Sequence, residues 1–352
     1  MLTAGGEIKF SRVYFKCVKC CNGGYTADER VGIDGRYSIG TQQLMTLAAG
    51  SWGCEISSQR LEEFCGLKAC ANTIREIAQR HGAAMNRWQQ EASEAANEFR
   101  QSAGDIEFST DGTSVNTTLG WREMKLGMFS KRPAGDAATP DEWSTRILPK
   151  PTSQVAFAAI ERSGRFGSRW KHWTRRLGIR DTSTVTVLAD GAKWIWEEQR
   201  KHLIGASGVL DVFHVLEKIA QTSNVVHEDD ATRTSEWLDE GRERLLRDGW
   251  QGIEQHVMAT LRRARSKKKR ASLNALLDYL ESHISHINYA DRLTKGQSIG
   301  SGQIEGACKN MIGRRLKQTG ARWKVRRVNR MAGVCCTMYS NNWNKYWDSV
   351  AA

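Results

Sequence analysis

Proline is scarce: four residues in a chain of 352. Few breakers and long periodic segments together favour a large helical share. No apolar run approaches the length of a membrane span, and the first residues do not resemble a secretory signal, so a soluble, cytoplasmic protein with no membrane partner is expected. The nine cysteines are odd in number and scattered, so they read as reduced thiols rather than a disulfide framework. Only Cys17-x-x-Cys20 has the spacing of a ligand pair. Zinc wants four tetrahedral ligands, and a second pair is missing, so Cys17 and Cys20 meet half of a zinc rule. Acid is also absent where base is dense. From Gly306 to Arg330 there are nine Lys or Arg and no Asp or Glu.

What is present complements these absences. The net charge is +13, which favours a polyanionic partner. Thirteen tryptophans could stack on bases, although filling cores is their commoner use. Residues 1–20 alternate apolar and polar side chains (Ile8, Phe10, Val13, Phe15), which suggests a short hairpin leading to the Cys pair. Residues 22–40 read as loop, and a helix begins near Thr41. Residues 57–81 give two helical patterns broken at Cys65-Gly66-Leu67, the form of a helix-turn-helix. The second, about Ala69 to His81, would turn Asn72, Thr73, Arg75, Glu76 and Gln79 outward, where they could read base edges. An ordinary helical hairpin fits the same pattern. A polar linker helix follows over 83–101.

The period then changes. Residues 104–132 read as a β-hairpin with Asp111-Gly112 near the end of its first strand. Residues 133–150 read as loop with an extra strand, and 152–177 as a basic, aromatic helix. STVTVLADG over 183–191 is the clearest strand, ending at Asp190-Gly191. A helix follows, then a short strand over Val209 to Phe213, then another helix. That alternation predicts an α/β core with parallel pairing. Residues 225–295 lose the strand pattern and read as charged helices, carrying the run Lys267, Lys268, Lys269 and Arg270. This run is either a solvated face or a phosphate contact. Ser298 to Trp323 opens with a Gly-Ser-Gly turn and becomes an amphipathic helix headed by Glu305, and Trp323 to Trp347 reads as one more basic helix.

Asp111 and Asp190 terminate separate strands, and strand ends of α/β sheets are where sites form. If the strands are neighbours the two carboxylates converge, and Glu305 could approach from its helix. Three such carboxylates can hold two Mg²⁺, hard ions that take oxygen ligands. The alternative for Glu305 is plainer: it complements its helix dipole and pairs with Lys309.

The segments Asp111-Gly112-Thr113, Leu188 to Trp194, Leu210 to Glu217, and Gly300 to Glu305 occur in that order. With Lys309, Arg315-Leu316-Lys317 and Gly320 to Trp323, they resemble prokaryotic insertion-sequence DDE transposases of the Kra-type group and their Mutator-like relatives. The similarity runs from about residue 104 to 345 and is fainter from Cys17 to Gly82. It implies a ribonuclease-H-like core with a helical insertion and an N-terminal, mostly helical DNA-binding region. The corresponding divisions are 1–56, 57–101, 102–216, 217–297 and 298–352. It implies Asp111, Asp190 and Glu305 as the triad that binds two Mg²⁺ or Mn²⁺ ions, and Asp211 with His214 as an Asp-x-x-His pair that shapes the site. His214 is an unsuitable direct ligand for Mg²⁺. Lys309, Arg314, Arg315, Lys317, Arg322, Arg75 and the Lys267–Lys269 run would meet phosphates, and Trp323 either stacks on a base or fills the core. The partners implied are DNA, as terminal inverted repeats and target, and a second copy in a synaptic dimer or larger assembly at the nucleoid. A structure-specific nuclease and a non-catalytic DNA-binding protein are the rival readings.

Overall fold

A computed structural model describes residues 1–25, 28, 33–228 and 230–351. Its centre is a five-stranded mixed sheet: β7 (Asp105–Thr117), β8 (Gly120–Arg132), β9 (Ser153–Ala159), β10 (Val185–Ala189) and β11 (Ser207–Leu210). The spatial order is β11-β10-β7-β8-β9. β7, β8 and β9 pair antiparallel, whereas β10 runs parallel to both β7 and β11. The α/β reading therefore holds, with mixed pairing.

The alternation within each strand divides two cores. One face of the sheet buries Phe108, Phe129 and Phe157 against α5 (Ser163–Arg176) and α6 (Lys193–His202), with Trp170 and Trp173 beneath them. The Phe108 and Phe129 rings stand 4.5 Å apart. Truncating a fully buried phenylalanine of this kind costs about 3–5 kcal/mol. The other face buries Leu126, Met128, Ala156 and Ala158 against elements from both halves of the sequence. These are α1 (Ile39–Ser51), α2 (Cys54–Cys65), α3 (Ala71–Glu91) and the segments after residue 300.

The N-terminal strands are minimal. β1 (Leu2–Thr3) pairs antiparallel with β2 (Gly6–Glu7) and parallel with β6 (Tyr37–Ser38), β3 (Phe15–Lys16) pairs with β4 (Gly23–Gly24), and β5 (Ile33–Asp34) pairs with β6. The expected hairpin is thus two separate short pairs, and Ile8, Phe10 and Val13 are exposed outside them. Part of the stretch 22–40 read as loop, residues 26, 27 and 29–32, lies outside the described residues.

The break between α2 and α3 falls where the sequence put it. Gly66 adopts the left-handed conformation (φ 63°), its N–H donates to the Glu62 carbonyl and that of Leu67 to Leu61. That pattern closes a helix C-terminus and suits glycine, which has no Cβ to clash. α3 runs on to Glu91, and α4 (Glu94–Gln101) completes the expected linker.

Three segments differ from expectation. Ser153–Ala159 is a strand, not helix, because Val155 and Phe157 fill one face of the sheet while Ala156 and Ala158 fill the other. No strand forms between Arg132 and Ser153. The C-terminal helix is two, α12 (Val325–Tyr339) and α13 (Trp343–Ala351), broken where Asn341 takes a positive φ of 54°.

The insertion is helical as read. It contains α7 (Val212–His227), α8 (Ala231–Arg263, kinked at Gly249), α9 (Lys267–Glu281) and α10 (Tyr289–Thr294). α11 (Gly302–Ala307) follows, then a π-helical turn over Cys308–Gly313 and a last helical stretch at Arg314–Leu316. Among the described residues no helix is long and apolar enough to cross a membrane.

Candidate active site

The parallel register decides where the acids lie. Leu188 pairs with Ser109, and Ala189 with Leu210. One further step along β10 is Asp190; the same register sets it level with Asp111 on β7 and with Asp211 after β11. The Asp211 N–H donates to the Ala189 carbonyl at 2.8 Å, so the ladder extends to this point. Three carboxylates thus stand in a row across adjacent strands. Asp111 is not near the end of its strand, as expected, but in its middle: β7 continues to Thr117, because β8 pairs with it along its whole length.

Asp211 is fully buried and its carboxylate is occupied. One oxygen accepts the N–H groups of Phe213 (2.7 Å) and His214 (3.1 Å), capping α7, and the other accepts the N–H of Ser301 at the head of α11. A carboxylate offers about four acceptor sites, and three are taken. Asp211 therefore fastens two helix N-termini together, and those helices carry His214 and Glu305.

A second buried group holds the turn that precedes Glu305. Glu107, 3% exposed, accepts from Arg132 Nε at 3.0 Å and from the Ser298 hydroxyl. Arg132 also donates to the Gln303 amide oxygen at 2.9 Å. Ser298 and Gln303, on either side of Gly300-Ser301-Gly302, are so tied to β7 and β8.

Glu305 is exposed and lies 3.6 Å from His214 Nε2, while the other ring nitrogen of His214 is 3.7 Å from Glu217. Cys308, one turn on from Glu305, is buried, and its thiol lies near the Asp111 carboxylate. Burial raises the Asp111 carboxyl above the usual range and the charge of Asp190 adds to it. The Gly112 N–H, the Cys308 thiol and His214 pull the other way. Partial burial also raises Glu305, helped by the charges of Asp211, Asp111 and Asp190 and opposed by His214. Burial beside Asp111 drives the Cys308 thiol upward. Ionising this cluster is costly without a cation, and its donors are carboxylate oxygens, which suit a hard divalent ion.

Among the described residues, the one group of His, Cys, Asp and Glu with ligand atoms mutually within 4.8 Å is Asp211, His214 and Glu305. This overlaps the expected triad at Glu305 only. Asp211 is the weaker ligand of the three, since its oxygens already hold backbone N–H groups. Cys17 and Cys20 are exposed and belong to no such group.

Two side chains at the site escaped sequence reasoning. Tyr279 of α9 lies against Gly191, and burial with the charges of Asp190 and Asp211 pushes its hydroxyl up to about 12. Cys308, inside the amphipathic stretch that follows Glu305, shows in the sequence only as an apolar position. Neither position carries a local signal, because the chemistry of each comes from an element distant in sequence.

The basic residues divide. Lys309, Arg314, Lys317 and Arg322 are exposed, and Lys317 Nζ donates to Thr113, two residues from Asp111. Lys267 and Lys268 are exposed in the first turn of α9, and Lys269 is half-buried, 3.6 Å from Glu228. Cations in that position oppose the helix dipole unless an anion joins them. Arg315 is a correction: it is 4% exposed, bonds to the Ala49 carbonyl and lies over Trp323 at 5.0 Å, so its guanidinium joins α1 to the core. Trp323 is half-buried, donates to the Leu316 carbonyl at 3.0 Å and straps onto β7 through Asn116 and Thr118, so it packs rather than presenting a free face. Gln79 is a second correction: 7% exposed, it donates to the Arg327 carbonyl at 3.0 Å, because α3 packs on α12. Asn72 and Glu76 remain exposed, with Thr73 and Arg75 half-buried.

No protein-family model and no curated protein matches the chain.

Proposed function

We propose that the chain is a DDE-type DNA transposase, resembling the Kra-type and Mutator-like groups, that cuts DNA at element ends and joins them to target DNA. The observation that carries this reading is the level placement of Asp111 and Asp190 on adjacent parallel strands, with the head of the Glu305 helix tied to the neighbouring Asp211 through the Ser301 N–H. The strand order β11-β10-β7-β8-β9, parallel on one side and antiparallel on the other, supports a ribonuclease-H-like core. A helical insertion separating the second acid from the third supports it further.

Asp111, Asp190 and Glu305 would hold two divalent cations, Mg²⁺ or Mn²⁺. Such ions act as Lewis acids that make water or a 3′ hydroxyl nucleophilic and stabilise the leaving oxygen. Asp211 keeps the two helix N-termini in register, which holds Glu305 beside His214 and near Asp111 and Asp190. His214 stands beside Glu305 and orients it or a DNA strand. Lys309, Arg314, Lys317, Arg322 and the Lys267–Lys269 cluster neutralise backbone phosphates, which makes affinity fall steeply with salt. Hydrolysis at the end and attack by the freed hydroxyl are both in-line displacements at phosphorus, so one site serves both. Joining two ends calls for a dimer or larger assembly, and a DNA substrate places the protein in the cytoplasm at the nucleoid.

The test uses duplex DNA spanning the flanks of the protein's own coding sequence, with Mg²⁺ or Mn²⁺. Wild type should nick and join it, and Asp111→Asn, Asp190→Asn and Glu305→Gln should each lose both steps while still binding DNA. Cleavage that survives Glu305→Gln removes the catalytic reading, and cleavage without joining makes the protein a nuclease.

A further inference from the structure

The insertion reaches back to the acids through Tyr279. Tyr279 sits near the C-terminal end of α9, half-buried. A Cβ placed on Gly191 would stand 2.6 Å from the phenolic oxygen of Tyr279 and 2.6 Å from its Cε2. Gly191 follows Asp190 directly, so the phenol lies beside the second acid of the row. His283, on the next turn, holds the ring from behind, with centroids 5.0 Å apart, and bonds to the Tyr279 carbonyl at 2.8 Å.

Two tyrosines of the insertion flank these strand ends, and they differ in one respect. The Tyr289 hydroxyl is buried and donates to the Leu210 carbonyl at 2.8 Å. The Tyr279 hydroxyl, among the described residues, has no hydrogen-bond partner in the protein. Docking of α9 does not depend on it, since Leu273, Leu276 and Leu280 are buried along the same helix. A donor left unpaired beside carboxylates, which when ionised only accept, fits a substrate with acceptor oxygens.

We propose that Tyr279 is a catalytic residue whose phenolic O–H donates a hydrogen bond to a non-bridging oxygen of the scissile DNA phosphate. This inference rests on the DNA-cleavage reading above. The proton stays on the phenol, and no covalent bond to Tyr279 forms or breaks. Negative charge spreads over the non-bridging oxygens as the phosphoryl group transfers, so a fixed neutral donor there favours the transition state over the ground state. The insertion then supplies part of the site.

The full chain should be assayed for Mn²⁺-dependent nicking of a supercoiled plasmid carrying the flanks of the protein's coding sequence, as wild type, Tyr279→Phe, Tyr279→Ala and Asp190→Asn, with plasmid affinity measured separately without metal. Phe keeps the ring on Gly191 and removes only the hydroxyl. The expected result is that both Tyr279 variants nick about 10- to 100-fold more slowly, with KM and plasmid affinity unchanged, the loss being in kcat. If Tyr279→Phe nicks at the wild-type rate and only Tyr279→Ala is slow, the ring merely packs and the proposal is overturned. If Asp190→Asn nicks as well as wild type, the acid-row reading fails, whatever Tyr279 does. A wild-type chain that leaves the plasmid intact overturns both.

Discussion

The carboxylate of Asp211 accepts the backbone N–H of Ser301, ninety residues later in the chain, while it caps its own helix at Phe213 and His214. The third acid of the site is therefore positioned by a fourth that is closed to solvent. Asp211→Ala leaves three N–H groups without that acceptor. It should lower stability by about 2–4 kcal/mol in urea denaturation, with Asp211→Asn recovering part of the loss.

The buried pair beneath the same turn gives a second expectation. Arg132→Met strands the Glu107 carboxylate, which is 3% exposed. Breaking a buried pair from one side costs about 3–5 kcal/mol, whereas replacing both partners together with apolar residues costs much less. The comparison of Arg132→Met with Arg132→Met/Glu107→Leu by denaturant titration checks it.

Titration of the acids has a defined sign. Asp111 and Glu305 both have raised pKa values in the fold. Each therefore contributes stability that is complete below its ordinary carboxyl pKa and is lost as pH rises through the elevated folded value. Without metal, Asp111→Asn should raise the melting temperature at pH 7 by about 1–2 °C, with the gain vanishing in acid. Added Mg²⁺ should stabilise wild type at pH 7 by mass action and fail to stabilise the variant comparably. Thermal melts at two pH values, with and without Mg²⁺, decide the matter.

Gly191 is held to glycine by Tyr279, not by its backbone angles. Gly191→Ala brings a methyl within 2.6 Å of the phenol and should cost about 1–3 kcal/mol by overpacking. The cost should fall to near zero in a Tyr279→Ala background, measured as a double-mutant cycle.

Lys267, Lys268 and Lys269 crowd the positive end of α9. Changing all three to Ala should leave the fold as stable or slightly more so and weaken plasmid binding. For every phosphate that a lysine no longer neutralises, the slope of log affinity against log salt should become shallower by about 0.9. Arg315→Ala should do the reverse, destabilising the fold with little change in that slope.

How much of this was legible in the sequence depended on where each signal originates. β10 could be read because its β-branched run ends abruptly at Asp190-Gly191, and the insertion because its leucines recur at helical spacing. β9 was misread because an alanine-rich segment carries no period of its own; only its place beside β8, with both faces covered, makes it a strand. Arg315 looked like its basic neighbours, since nothing local says that its guanidinium meets the Ala49 carbonyl. Asp111 read as a strand end because Asp-Gly is a common turn signal, and β8 overrode it by pairing through to Thr117. The acids were visible one at a time. Their common level across β7, β10 and β11 is a matter of register, which no single segment encodes.

The fit of α3 against α12 bears on synthesis. Gly82 lies so close to the Arg330 carbonyl that a Cβ there would stand 2.2 Å from it, and Gln89 donates to Thr337 at 2.8 Å. An early-made helix thus waits for a late-made one. On the ribosome, the N-terminal helices and the first two acids emerge long before their closing partner, and Glu305 leaves the exit tunnel well after both Asp111 and Asp190. A nascent chain therefore carries Asp111 and Asp190 for a time without Glu305, and the cluster of acids comes together only once the segment after residue 300 has been made.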